Sequence, residues 1–265
     1  MLTEKQLFDV YVLQDICEDY DDIELKLNWE TLKTRTEQMD FFHYEENRLV
    51  GFLGVYKFGE EYEICGMVHP DYRKKGIFTQ LLSKALMIIP NNGRILINAP
   101  AHSQSAKAWL EKNSCSYSFS ENQMKWHKKI LTNDTSNIVL REAKEEDLPF
   151  LMQVDQLSFG VSDSSNVLSK NGQTYIVEVE KEAVGKIRIE RSNEQSWIYG
   201  FAILPQYQGK GFGRAALTQV VLKESPICSN IYLEVETKNN NALKLYESCG
   251  FVAFHTQDYY DFARQ

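Results

Sequence analysis

The spacing of apolar positions along the chain changes several times, and each change marks an element. Leu7, Val10, Tyr11 and Ile16 fall close to helical spacing and predict a helix over 4–18, ended by the acidic run Glu18-Asp19-Tyr20-Asp21-Asp22. A second helix is read over 27–36. From Asp40 the period shortens to that of strands, over 41–44, 49–58 and 62–68, with polar turns at Glu45-Glu46-Asn47-Arg48 and Gly59-Glu60-Glu61. His69-Pro70-Asp71-Tyr72-Arg73-Lys74-Lys75-Gly76-Ile77-Phe78 then leads into a helix carrying Leu81, Leu82, Ala85, Leu86 and Ile89, which Pro90 stops. A strand at Ile95-Leu96-Ile97 and a helix around 106–110 follow.

The same order of elements returns. A strand at 138–143, a helix entered at Glu146-Asp147 and running past Leu151 and Leu157 to Phe159, and a hairpin of 174–179 with 184–190 lead to an apolar strand over 197–204. The turn Pro205-Gln206-Tyr207 and the run Gln208-Gly209-Lys210-Gly211-Phe212-Gly213-Arg214 open a helix with Leu217, Val220 and Val221, stopped at Ser225-Pro226. The strand Ile231-Tyr232-Leu233-Glu234-Val235 comes next, then a helix with Ala242, Leu245 and Tyr246 that closes at Cys249-Gly250-Phe251, glycine being suited to the helix C-cap. Counting confirms the repeat: Pro70 and Pro205, Tyr72 and Tyr207, Arg73 and Gln208, and Gly76 and Gly211 are each 135 apart. Beyond the helix the offset is 136, pairing Ser103 with Asn239 and Ala106 with Ala242. Two copies of one fold are expected, residues 1–132 and 133–265, joined by the polar stretch 131–137.

Three glycines in five residues before an amphipathic helix let backbone pass close to a ligand and leave unpaired N–H groups at the helix start. That makes an anion cradle, most simply for a phosphate. A dinucleotide fingerprint needs G-x-G-x-x-G and a P-loop needs G-x-x-x-x-G-K-[ST]; Gly209, Gly211 and Gly213 match neither. Gln208, Gly211 and Gly213 do match Q-x-x-G-x-G, and the loop resembles the pyrophosphate loop of the GCN5-related N-acetyltransferases. Leu233-Glu234-Val235, Asn239, Ala242, Leu245-Tyr246 and Gly250-Phe251 are similar to that superfamily's L-E-V-x-x-x-N-x-x-A-x-x-L-Y-x-x-x-G-F, in the form seen in ribosomal-protein alanine acetyltransferases.

The resemblance implies a mixed α/β fold: two tandem domains of this superfamily, each a mostly antiparallel sheet with a central, splayed pair of parallel strands flanked by helices. It implies acetyl-CoA as co-substrate, its pantetheine arm pairing with backbone at Phe201, Ala202 and Ile203. The pyrophosphate would lie on Gln208, Gly209, Lys210, Gly211, Phe212, Gly213 and Arg214, and Asn239 would meet the arm. Transfer to the amine would be direct. Amide formation from a thioester needs a base to free the amine lone pair and a proton for the leaving thiolate. The resemblance gives these roles to Glu234 and Tyr246, with Glu236 as a reserve base. At the same offset the first half has Asn98 and Leu110, which do neither, so chemistry is expected in the second half. Phe78 stands where the family has glycine or alanine, so the first half is expected to bind acetyl-CoA poorly or with its loop shifted.

Composition narrows the partners. A net charge of −8 disfavours nucleic acid and suits cationic ligands such as amines of small molecules or peptides. A non-catalytic acetyl-CoA-binding regulatory module is the alternative function. Five scattered cysteines without C-x-x-C spacing suggest reduced, packed thiols, and five histidines show no metal-ligand spacing, so no metal is expected. No stretch approaches a membrane span and the start has no basic region followed by an apolar core. A cytoplasmic monomer or homodimer is expected.

Overall fold

The computed structural model describes residues 1–113, 115–128, 138–160, 172–192 and 194–264; the junction read at 131–137 lies outside them. In chain order the elements are α1 (Glu4–Asp21), α2 (Trp29–Thr34), β1 (Asp40–Glu45), β2 (Arg48–Phe58), β3 (Glu61–Val68), α3 (Ile77–Leu86), β4 (Arg94–Pro100), α4 (Gln104–Leu110) and β5 (Cys115–Trp126). There follow β6 (Val139–Glu142), α5 (Leu148–Phe159), β7 (Gly172–Val179), β8 (Glu182–Ser192), β9 (Gln195–Ile203), α6 (Phe212–Glu224), β10 (Asn230–Glu236), α7 (Asn240–Ser248) and β11 (Phe251–Phe262). The chain forms two compact units, residues 1–120 with 255–265, and residues 121–254. The ends of β5 and β11 therefore belong to different units from the repeats that encode them.

In the first unit α1 begins with a reciprocal cap: the Thr3 hydroxyl accepts from the Gln6 N–H at 3.2 Å and the Gln6 side chain accepts from the Thr3 N–H at 3.0 Å. No strand precedes it, whereas β6 precedes α5 in the second unit. The apolar run of β2 is buried on both faces. Val50, Leu53 and Val55 pack with Leu81, Leu82 and Ile97, while Leu49, Phe52 and Tyr56 pack with Val10, Leu13 and Leu32. A strand covered on both sides reads as continuous hydrophobicity rather than alternation. β1, β2 and β3 pair antiparallel, β3 and β4 pair parallel, and β4 pairs antiparallel with Gln257–Asp261 of β11. Arg35 and Asp40 form an ion pair with side chains only 7% and 4% exposed. Burial raises the Asp40 carboxyl above its usual range even against that guanidinium.

In the second unit β6, β7, β8 and β9 form an antiparallel run, β9 pairs parallel with β10, and β10 pairs antiparallel with Glu121–Lys125 of β5. Ile231, Leu233 and Val235 of β10 join Leu217, Val220 and Val221 of α6 in the core. Glu224, fully buried at the end of α6, is held by both arms of Arg191 at 2.6 Å and by the Ser196 hydroxyl at 3.0 Å. Each unit is thus a mostly antiparallel sheet with one parallel pair and flanking helices. Among the described residues no helix is long and apolar enough to cross a membrane.

Candidate active site

The site of the second unit begins where two strands part. β9 and β10 pair as far as Ile198 with Leu233, and beyond that point they separate. A register shift against β8, between Lys186 and Arg188, places a bulge at Gly200 (φ 51°) and Phe201 on β9. Such a bulge re-aims backbone groups out of the ladder. After Ile203 the chain makes a single 3-10 turn over Pro205–Tyr207 and enters the glycine loop. Gly209 (φ 74°) and Gly211 (φ 86°) take left-handed conformations and have open space where a side chain would stand. Gly213 does not: a Cβ there would meet Leu245 at 3.4 Å, Ile203 at 3.7 Å and Phe201 at 3.8 Å. Two glycines thus supply conformation and the third supplies room.

The other loop residues have local roles. The Gln208 side chain donates to the Ile203 carbonyl at 2.7 Å and closes the end of β9. The Lys210 ammonium lies 5.4 Å from the Tyr207 ring centroid, Tyr207 donates to Glu182, and Arg214 is exposed. Ala202 is half-buried on β9, and Phe212 is the first residue of α6. Asn239 caps α7, its side chain accepting from the Ala242 N–H at 3.1 Å.

Glu234 follows the last residue of β10 paired with β9, and Tyr246 lies on α7. Strand alternation turns Leu233 and Val235 into the core beside Tyr246 and turns Glu234 the other way. Glu234 Oε1 accepts from Gln123 Nε2 at 2.9 Å. Tyr246 is 8% exposed, between Phe201 (centroids 6.4 Å) and Phe251 (6.3 Å), and burial pushes its hydroxyl up to about 12. It therefore stays protonated at neutral pH, as a proton donor must.

The first unit repeats the backbone and not the side chains. β3 and β4 part after Ile64 and Ile97, and Lys74 (φ 62°) and Gly76 (φ 79°) repeat the conformations of Gly209 and Gly211. Arg73 donates to the Val68 carbonyl at 3.0 Å, as Gln208 does to Ile203, but its guanidinium also pairs with Asp21 at 2.8 Å. It is thereby committed to α1. Asn98 donates to Glu63 at 2.9 Å and Leu110 is in the core. The Phe78 ring lies over Gly66, 2.8 Å from where a Cβ would stand, and packs edge-on against Trp109 at 4.7 Å. By the repeat offsets, Gly66, Phe78 and Trp109 correspond to Phe201, Gly213 and Leu245. The bulky ring has moved from strand to helix and the glycine from helix to strand. A cavity of about 440 Å³ remains in this unit, lined by Met67, Arg73, Phe78, Asn98 and Trp109 among others.

Two features escaped the sequence reading. Gln123 sits on β5, whose Ser120-Glu121-Asn122-Gln123 interrupts any alternation, and Gly66 gave no sign that it answers Phe78. All five cysteines are free and four are buried; burial raises the Cys17 and Cys115 thiols to about 11.

This chain belongs to the acetyltransferase (GNAT) family, whose model matches residues 6–113 and again 137–251. It is 34% identical over 83 residues to spermidine N(1)-acetyltransferase of Vibrio cholerae, an overlap of 29% of this chain and 48% of that one. It is 29% identical over 119 residues to the [ribosomal protein bS18]-alanine N-acetyltransferase of Haemophilus influenzae, covering 43% of this chain and 80% of that one. The chain spans about half or less of the polyamine-acetylating relatives it matches. In fold it is similar to a GCN5-related N-acetyltransferase from Sphaerobacter thermophilus, with a TM-score of 0.77 at 15% identity over 98% of this chain and 93% of that one. It is also similar to a tandem GNAT protein from the clavulanic acid biosynthesis pathway, with a TM-score of 0.66 at 11% identity over 99% and 96%.

Proposed function

We propose that the protein transfers an acetyl group from acetyl-CoA directly to a primary amine of a small molecule or peptide, with the chemistry in the second repeat. The observation that carries this is a carboxylate, Glu234, one residue past the last β9–β10 pair, with a buried, protonated phenol, Tyr246, packed on the core face of the same strand. Family membership supports acetyl-CoA as co-substrate. The residues present fit it: the bulge at Gly200 and Phe201 leaves strand backbone for a pantetheine arm, Gly213 adds no side chain beside Phe201 and Ile203, and Gly209 to Arg214 would offer N–H groups to a pyrophosphate. Lys210 and Arg214 would add charge beside the pyrophosphate, and Asn239, which caps α7, would meet the arm.

When bound, the thioester supplies an activated acyl carbon. Glu234 takes a proton from the acceptor ammonium, freeing the nitrogen lone pair. As the C–N bond forms and the C–S bond breaks, Tyr246 gives its proton to the departing sulfur, and the second proton of the acylated nitrogen then leaves, by way of solvent, so that the phenol is restored. The acceptors of the relatives, a polyamine and a peptide alanine, mark the two classes to try first. Thiol release from acetyl-CoA against polyamines, aminoglycosides, amino acids and peptide N-termini tests the reading; no release with any of them, with acetyl-CoA still bound, would leave the non-catalytic module.

A second reading applies to the first repeat alone. It keeps the loop conformation and a cavity but has Asn98 and Leu110 in place of the proton-transfer pair, which supports a scaffold or binding role without turnover.

A further inference from the structure

We infer that Gln123, encoded in the first repeat, is a positioning residue for the base of the second. This rests on the assignment of Glu234 as that base. In the antiparallel pairing of β5 with β10, Gln123 stands directly opposite Glu234, so both side chains share one face of the sheet. The amide is 6% exposed and donates to the carboxylate at 2.9 Å. A buried strand position ordinarily takes an apolar residue, and a polar one is retained where its hydrogen bond is made. The consequence here is chemical as well as structural. A donor at 2.9 Å holds one carboxylate oxygen in place, so the base is aimed before the amine arrives.

Other charged residues stand around this pair. Lys125 stands opposite Tyr232, with its ammonium 5.7 Å from that ring, and Glu121 stands opposite Glu236. On β8, Arg188 is paired with Glu190, and Lys186 with Asp155 of α5. Gln123 is the residue in register with Glu234, and the residue matching Glu234 in the first repeat is Asn98, which is held by Glu63.

Substitution in the full-length protein tests the inference through the acidic limb of the pH dependence of kcat/KM. Gln123→Glu sets a second carboxylate against Glu234 and moves that limb to higher pH; Gln123→Lys sets a cation there and moves it to lower pH. Gln123→Leu, which removes the donor at similar volume, lowers kcat about tenfold with KM for acetyl-CoA unchanged. Loss of a residue that merely holds the strand in register would not lower kcat while leaving KM for acetyl-CoA unchanged. An unmoved limb in both charged variants overturns the inference, and Gln123→Glu keeps that readout if the leucine variant fails to fold. Glu234→Gln distinguishes the two failures. Wild-type turnover in Glu234→Gln removes the base assignment itself, whereas loss there with wild-type kinetics in all Gln123 variants removes only the positioning role.

Discussion

Gly213→Val separates room from backbone conformation within one loop. Gly213 lies in the first turn of α6 without a positive φ, so valine meets no conformational barrier there, unlike at Gly209 or Gly211. Helix propensity favours valine over glycine by about 0.3 kcal/mol, and the Cβ makes contacts of 3.4 to 3.8 Å that are ordinary van der Waals distances. The branched methyl groups crowd Leu245, Ile203 and Phe201, so folding stability should fall by about 1–3 kcal/mol with the protein still folded. The two methyl groups extend about 1.5 Å further into the space between Phe201, Ile203 and Leu245, the groove assigned to the pantetheine arm. Phe78 shows what a side chain at this position does, for its ring covers the strand backbone at Gly66. Displacing the arm should weaken acetyl-CoA by about a hundredfold or more, near 2.7 kcal/mol. Titration calorimetry and KM for acetyl-CoA, beside a thermal melt, provide the readouts. Wild-type affinity and KM in a fully folded Gly213→Val protein would refute the placement of the cofactor groove.

Other outcomes follow from the same geometry. Gly211→Ala meets nothing in space but forces a side chain into φ 86°, so it should cost about 1–2 kcal/mol of stability by denaturant melt. Arg35→Leu leaves Asp40 buried and unpaired and should cost about 3 kcal/mol, with the Arg35→Leu/Asp40→Leu double variant recovering part of it. Tyr246→Phe should lower turnover by about a hundredfold with the fold intact. It should also grow more stable relative to wild type above pH 10, because a phenol raised to about 12 in the folded state stabilises the fold fully below its unfolded value of about 10 and loses that contribution as pH rises through 12. A fragment of residues 133–265 lacks Glu121–Trp126, leaves the β10 edge unpaired and should aggregate on expression, whereas residues 121–254 should remain more soluble.

What the sequence revealed and what it hid have a common physical cause. The path from β9 through the loop to α6 was readable because proline and glycine punctuate it and its apolar residues point into one core. The offset of 135 then carried the reading to Pro70, Tyr72 and Gly76 of the first half. β5 and β11, twelve residues each, went unread because polar side chains occupy their buried positions. Ser120 donates to Asp258 at 2.6 Å, Gln257 donates to the Glu24 carbonyl at 2.9 Å, and Gln123 donates to Glu234. Polar residues that find partners only in the folded chain carry no hydrophobic alternation. For the same reason the membership of each unit departs from chain order at these two strands. The offset set Arg73 against Gln208 of the glycine loop, and only the fold shows Asp21 occupying its guanidinium.

The most direct test of the central claim compares turnover in two full-length variants at matched positions of the repeat, Glu234→Gln and Asn98→Ala, with the fold checked in each. Leu110 is unsuitable as a control, since it is 2% exposed and its truncation would cost about 2–5 kcal/mol. With acetyl-CoA and an amine acceptor found in the thiol-release panel, Glu234→Gln should lose about a hundredfold in kcat while Asn98→Ala stays within about twofold of wild type. Full turnover in Glu234→Gln together with a severe defect in a folded Asn98→Ala protein would move the chemistry to the first repeat and contradict the account.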